Sequence, residues 1–293
     1  MVRSAYKVID VHVHMTPLEM FKDDVRSIIA SDRYYDPNMY EHLTRSPAKL
    51  VELLDEWGVE RVNIVSYVAE DVMGLGYEHV DFVGRYCAEY PDVLRPMMSA
   101  DPRDPAAVEK LEHYRSLYGS DWIKLHPVHQ LFRPNAYRPE EGGLSILENI
   151  YEYAEANDIP VTFHTGTSIF PRSRNKYGDP MFLDDVAVDF PRLRIVMAHG
   201  GRPLSSWMNT TYYLMRRHKN IYLDISSIPP GKLLAYFPRL LDVVDRVLFG
   251  TDWYSLGVKN IRDNADQIIG LKLGDDITRK ILHDNALTLF KGT

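Results

Sequence analysis

The feature that most constrains this chain is the alternation, from one end to the other, of short apolar or β-branched runs with longer amphipathic stretches. The runs are 7–15 (KVIDVHVHM), 61–68 (RVNIVSYV), 93–99, 121–127 (DWIKLHP), 160–165 (PVTFHT), 194–199 (RIVMAH), 221–226 (IYLDIS) and 246–252 (RVLFGTD). Most are too short for helices, and their Val, Ile and aromatic content favours strands. Between them, Leu50, Leu53, Leu54 and Trp57 recur at the spacing of one buried helix face. Val80, Val83, Cys87 and Tyr90 repeat that spacing, as do Leu144, Leu147, Tyr151 and Ala154. Further helices are expected near 104–118, 180–190, 202–219, 231–241, 258–273 and 276–290. Eight strand–helix repeats predict an α/β fold closed as a (β/α)8 TIM barrel, one domain over 1–293 with an extra C-terminal helix. A barrel needs about 250 residues, and an open doubly wound sheet lacks its Gly-rich first turn here.

Charge and composition narrow the function classes. With 34 Lys+Arg against 41 Asp+Glu the net charge is −7, which argues against a nucleic-acid backbone as partner. No uncharged run exceeds 13 residues, short of the roughly 20 of a membrane helix, so no membrane partner is expected. Arg3, Lys7 and Asp10 interrupt any apolar leader, and the single Cys87 cannot form an intrachain disulfide. A cytoplasmic protein acting on a small molecule is the expectation, as a homo-oligomer or alone. The three longest connections, 16–46, 128–143 and 166–179, all leave C-terminal strand ends, where barrel active sites lie; they suit a lid over a polar substrate.

The chemistry-bearing residues gather at those same strand ends. Asp10, His12 and His14 alternate along the first strand and share one face. Two neutral imidazoles side by side suit a divalent metal, though a structural hydrogen-bonded pair is the alternative. The fifth strand ends in His164-Thr165-Gly166, the sixth in His199-Gly200-Gly201 and the eighth in Gly250-Thr251-Asp252-Trp253. Lys124 and His126 share a face of the fourth strand and read as substrate-facing. Arg172 and Arg174 are either a carboxylate clamp or solvated loop arginines. Asp224 and Ser226 are candidate substrate contacts. Serine-hydrolase, P-loop and dinucleotide motifs are absent.

In this order and spacing, IDVHVH, KLHP, FHTG, AHGG, FGTDW and the closing KILHDNALTLF resemble the amidohydrolase superfamily, in its amidohydrolase-related branch with aminocarboxymuconate-semialdehyde decarboxylase-like enzymes and lactone hydrolases. The resemblance spans essentially the whole chain. It implies one divalent metal held by His12, His14, His164 and Asp252, with zinc first and Mn, Fe or Co as alternatives. Such a metal lowers the pKa of a bound water towards about 7. His199 then serves as general acid/base, Asp252 shares in proton transfer, and Asp10 hydrogen-bonds a ligand imidazole. In binuclear relatives a fourth-strand Lys is carboxylated and bridges two metals, which keeps a second role open for Lys124. Three functions follow: hydrolysis of a lactone or amide of a small carboxylate-bearing substrate, preferred because the chain is short for the decarboxylases; nonoxidative decarboxylation of an aromatic or unsaturated carboxylate; or a catalytically silent barrel used for binding.

Overall fold

Every one of the eight apolar runs carries a strand. In the computed structural model, which describes residues 6–290, these are β1 (Val8–Val13), β2 (Val59–Ile64), β3 (Leu94–Pro96), β4 (Ile123–Leu125), β5 (Val161–His164), β6 (Ile195–Ala198), β7 (Ile221–Asp224) and β8 (Val247–Leu248). They pair in parallel and in sequence order as two arcs, β1-β2-β3 and β4 to β8. Single parallel bridges join the arcs at both seams, Met98 to Ile123 and Val13 to Trp253. The result is the α/β barrel order, with seams held by isolated bridges instead of full ladders. All six residues of β1 are buried, as expected of a parallel strand covered on both sides.

Helices with one apolar stripe cover the outside. Leu50 and Leu54, from the helix Pro47–Trp57, and Leu147 and Ile150, from Ser145–Ala156, are fully buried. A second cluster contains Trp122, Val196 and Leu248, which by the two-residue period share a side of their strands with Lys124, Ala198 and the residues following β8. Phe290 packs on Trp122 at 5.5 Å between ring centroids, so the C-terminal segment plugs the end of the barrel away from the histidines. That segment is helical at Asp275–Arg279, widens to a π-helical turn at Lys280–Asp284 and resumes at Asn285–Leu287. The turn is anchored where Phe249 N–H donates to the Ile281 carbonyl at 3.0 Å.

One expectation is corrected. The stretch 231–241 is not one helix: a short helix Leu233–Tyr236 is flanked by 3-10 turns at Pro230–Lys232 and Leu240–Arg246, and Pro238 removes a helical donor at the break. The connection 16–46 carries helices of its own. It folds into helices Asp23–Ala30 and Pro37–Arg45, the second opened by Asp36, whose side chain accepts from the Asn38 and Met39 N–H groups. Among the described residues no helix is long and apolar enough to cross a membrane.

The register sets the site. His164 pairs with Ala198, Ala198 with Asp224 and Asp224 with Leu248, so these strand ends finish level. Gly166 then turns the chain at φ +109°, where an added Cβ would lie 2.3 Å from the Arg202 carbonyl oxygen. Gly166→Ala is expected to lower unfolding stability in urea by about 2 kcal/mol or more through strain and backbone displacement; an unchanged denaturation midpoint would show that this close approach is not required.

Candidate active site

Closure between β8 and β1 builds the centre of the site. The Asp252 N–H donates to the His12 carbonyl at 2.8 Å, and His14 N–H to the Trp253 carbonyl. The side chains of residues 12, 14 and 252 consequently converge. Asp252 Oδ1 lies 3.0 Å from His14 Nε2 and 3.4 Å from His12 Nε2, and the three residues offer ligand atoms within 4.8 Å of one another. Asp252 Oδ2 accepts from Ser227 Oγ at 2.6 Å. His199, Ser227 and Asp252 all adopt positive φ, at 66°, 58° and 68°, a backbone strain that side chains other than Gly hold only where the surroundings enforce it.

The tautomers follow from the hydrogen bonds. His12 Nδ1–H donates to Asp224 Oδ2 at 2.6 Å, with both side chains buried, which leaves the Nε2 lone pair facing Asp252 and His14. His199 Nδ1–H donates to the Ser226 carbonyl at 3.1 Å, leaving its Nε2 basic. Ser226 Oγ donates to Asp224 Oδ2 at 2.8 Å, tying the two systems together. His126 Nδ1 accepts from the His129 N–H at 3.3 Å, so its Nε2 carries the proton. His164 stacks on His126 at 4.0 Å and meets His199 edge-on at 4.7 Å between centroids. Its Nε2 is buried without a hydrogen-bond partner.

The sequence-predicted residues separate into those that the fold brings together and those that it does not. His12, His14, His164, His199, Asp252, Lys124 and His126 line one cavity of about 280 Å³, the size of a small-molecule site. His164 adjoins the converging trio without joining its cluster of ligand atoms. Asp10 is a correction: its carboxylate accepts from His12 N–H, Thr251 N–H and Thr251 Oγ at 2.9, 3.1 and 2.6 Å. It staples β8 to β1 through the backbone, and Asp224 is the residue that orients an imidazole. Arg172 is the second correction. Its guanidinium is committed to Asp24 at 2.6 and 3.0 Å and to the Asp71 and Val72 carbonyls, outside the cavity. Among the described residues the Arg174 guanidinium donates to the neighbouring Arg172 and Ser173 carbonyls. All three long connections reach the cavity, through Tyr34 and Tyr35, His129, and Ser168 to Phe170. Tyr67, with its ring centroid 5.0 Å from that of His126, and Arg202 are lining residues that motif reading missed.

Burial controls the charge states. It lowers the His12 imidazole to about 4, with the Lys124 charge adding to the effect against Asp224. It lowers His129 to about 3 and His79 to about 4, and moves His126, His164 and His199 in the same direction. For Asp252 burial acts upward but is overcome by the His14 hydrogen bond and the facing histidines, so the carboxyl is held well below its ordinary range. Burial brings Lys124 down to about 8, against the opposing charges of Asp224 and Asp252. Neutral imidazoles, one ionised carboxylate and an orphaned His164 nitrogen form a donor set that fits a divalent cation.

These imidazoles also set the acid stability. Their folded pKa values lie below the unfolded 6.5, so the native state binds fewer protons than the unfolded chain as pH falls. The melting temperature of the chelator-treated protein is expected to fall as pH drops from about 6.5 towards about 4, as each unfolded imidazole gains its proton. A constant melting temperature over that window would contradict the neutral cluster.

Comparison with known proteins gives the family and the fold. The family model described as Amidohydrolase matches residues 9–292. Among solved structures, a TIM-barrel protein from Bordetella bronchiseptica is similar at 22% identity and a TM-score of 0.73, over 97% of this chain and 98% of its own. A 2,6-dihydroxybenzoate decarboxylase, complexed with 2,6-dihydroxybenzoate, is similar at 16% identity and 0.68, over 99% of both chains. A probable 2-pyrone-4,6-dicarboxylic acid hydrolase from Acinetobacter baumannii, with citric acid bound, is similar at 14% and 0.67, over 96% and 98%. At these identities the structures speak for the fold alone. No curated protein matches the sequence. With the family model covering nearly its whole length, the chain belongs to the amidohydrolase family, and is a metal-dependent enzyme of that superfamily.

Proposed function

We propose that this enzyme is a hydrolase that opens a lactone or amide bond of a small carboxylate-bearing substrate. The observation that carries the reading is Asp252: an ionised carboxylate with one oxygen 3.0 and 3.4 Å from two imidazole nitrogens and the other fixed by Ser227. His12, His14 and Asp252 would hold the metal, with His164 beside them as the fourth donor. The donor set favours zinc and also accommodates Mn, Fe or Co. When bound, the ion supplies an acidified water and polarises a carbonyl oxygen.

The remaining work falls to the chain's own side chains. His199, neutral and with Nδ1–H held by the Ser226 carbonyl, presents Nε2 as the base that takes a proton from the attacking water. The water oxygen bonds to the carbonyl carbon, the C–O or C–N bond breaks, and the same proton passes to the leaving atom from His199 or through Asp252. Lys124, its Nζ 3.4 Å from His12 Nε2, is the cation that would face the negative charge gathering on the carbonyl oxygen. His126 offers an Nε2–H donor at the same cavity wall.

A second reading, nonoxidative decarboxylation of an aromatic or unsaturated carboxylate, is favoured by the walls of the cavity. Tyr34, Tyr35, Tyr40, Tyr67, Tyr254 and Phe170 suit a flat unsaturated ring. There the same acid/base pair would protonate the ring carbon before CO2 leaves.

Paired screens of the metal-loaded enzyme for lactone or amide hydrolysis and for CO2 release test the choice: hydrolysis supports the first reading, and CO2 release without hydrolysis replaces it by the second. His199→Ala is expected to retain the wild-type metal content while turnover drops by about 10²-fold or more. A fully active variant would contradict the role of His199.

A further inference from the structure

Two imidazoles that the chemistry above leaves unused hold one tyrosine. Tyr67 follows β2, is buried and lines the cavity. Its ring neighbours two site histidines, with centroids 6.4 Å from His14, edge-on, and 5.0 Å from His126. Its backbone is held by His79, a fully buried residue of the helix Tyr77–Ala88. His79 Nδ1–H donates to the Tyr67 carbonyl at 3.3 Å, and His79 Nε2 accepts from Thr16 Oγ at 2.8 Å. At the other end, the Tyr67 hydroxyl meets His129 Nδ1 at 3.3 Å, and His129 Nε2 meets Ser168 Oγ at 2.7 Å.

The hydrogens along Ser168, His129 and Tyr67 outnumber the contacts. Burial keeps the His129 imidazole neutral, so it carries one hydrogen, and each hydroxyl carries another. Three hydrogens serve two contacts, and one end of the chain keeps a donor to spare. The 2.7 Å contact to Ser168 has the length of a hydroxyl donor and is short for an N–H donor, which prefers about 2.9–3.0 Å. Ser168 Oγ meanwhile accepts the Phe170 N–H at 3.2 Å. Ser168 therefore donates to His129 Nε2, Nδ1–H donates to the Tyr67 oxygen, and the Tyr67 O–H is left over. Among the described residues that hydroxyl has no hydrogen-bond partner besides His129. A phenol ordinarily keeps its hydrogen up to about pH 10, and an uncommitted donor in an enclosed cavity acts most strongly where negative charge appears.

We propose that Tyr67 is a catalytic residue whose free O–H donates to the substrate oxygen on which negative charge gathers, and that His129 is the residue that positions it. No proton changes hands: the hydrogen bond tightens as charge builds on the oxygen and relaxes as the C–O or C–N bond breaks. Tyr67 thus supplies a neutral donor in addition to the Lys124 cation. The assignment rests on the proposed function for the identity of that oxygen, but donation to an oxyanion can be measured without turnover.

The test is a binding titration of the full-length protein, as purified and after chelator treatment, with 4-nitrophenolate as the oxyanion and nitrobenzene as its neutral counterpart, at a pH where the phenol is ionised. Wild type is expected to bind 4-nitrophenolate about 10-fold or more tightly than Tyr67→Phe does. The absorption maximum of the bound anion is expected to differ between the two, while nitrobenzene affinity and melting temperature stay near wild type and verify folding. His129→Leu is expected to lose part of the affinity and of the spectral shift, and His129→Asn, whose amide keeps a donor close to the place of Nδ1, to restore them in part. In the Tyr67→Phe background His129→Leu is expected to change nothing further. Equal 4-nitrophenolate affinity in wild type and Tyr67→Phe overturns the proposal, as does a wild type that binds the anion no better than nitrobenzene. A His129→Leu loss that persists undiminished in Tyr67→Phe overturns the positioning role. Absence of hydrolysis by the metal-loaded enzyme would count against the hydrolase reading and leave the phenolate result standing.

Discussion

The seam between the last strand and the first is the constraint on which the site depends. Two backbone hydrogen bonds, from Asp252 N–H to the His12 carbonyl and from His14 N–H to the Trp253 carbonyl, place residues more than two hundred positions apart within ligand distance. Asp10 reinforces the seam from below by accepting both donors of Thr251. Because parallel strands are read level across β5 to β8, fixing this one seam also fixes where His164, His199 and Asp224 stand relative to it. The C-terminal plug, with Phe290 on Trp122, supports the opposite end of the same cylinder.

Within that frame, burial and hydrogen bonding cooperate on protonation. Desolvation keeps the His12, His126, His164 and His199 imidazoles uncharged, and Asp224 and the Ser226 carbonyl choose which nitrogen of His12 and His199 carries the hydrogen. The ionised Asp252 survives in the same enclosure because His14 and Ser227 donate to it. Uncharged nitrogen donors facing one carboxylate make a site that gains from a cation and loses from protons. The strained backbone at His199, Ser227 and Asp252 marks the positions that the surroundings hold against their local preference.

Much of this was legible in the sequence because it depends on period and position. Strand runs with β-branched residues lie where expected, and a polar residue closing an apolar run singled out His164, His199 and Asp252, which line the cavity. What was not legible depends on long-range pairing. Spacing cannot tell that Arg172 would find Asp24, 148 positions away, or that Asp10 would serve a backbone seam while Asp224 took an imidazole. The helices inside 16–46 were hidden because their polar sequence has no long apolar stripe, although Asp36-Pro37 is a legible helix start. The broken stretch 231–241 shows the reverse, an apolar spacing interrupted by Pro238.

One divalent ion at the convergence of His12, His14 and Asp252 is what the proposed chemistry requires first. Elemental analysis of the full-length protein, purified without an affinity-metal column or chelators and then reconstituted with Zn, Mn or Co, measures that stoichiometry. About one equivalent per chain, reduced by Asp252→Ala, is the predicted result. No bound metal after reconstitution would contradict the account, and about two equivalents would require Lys124 to take part in a bridged pair, outside the single-ion site described above.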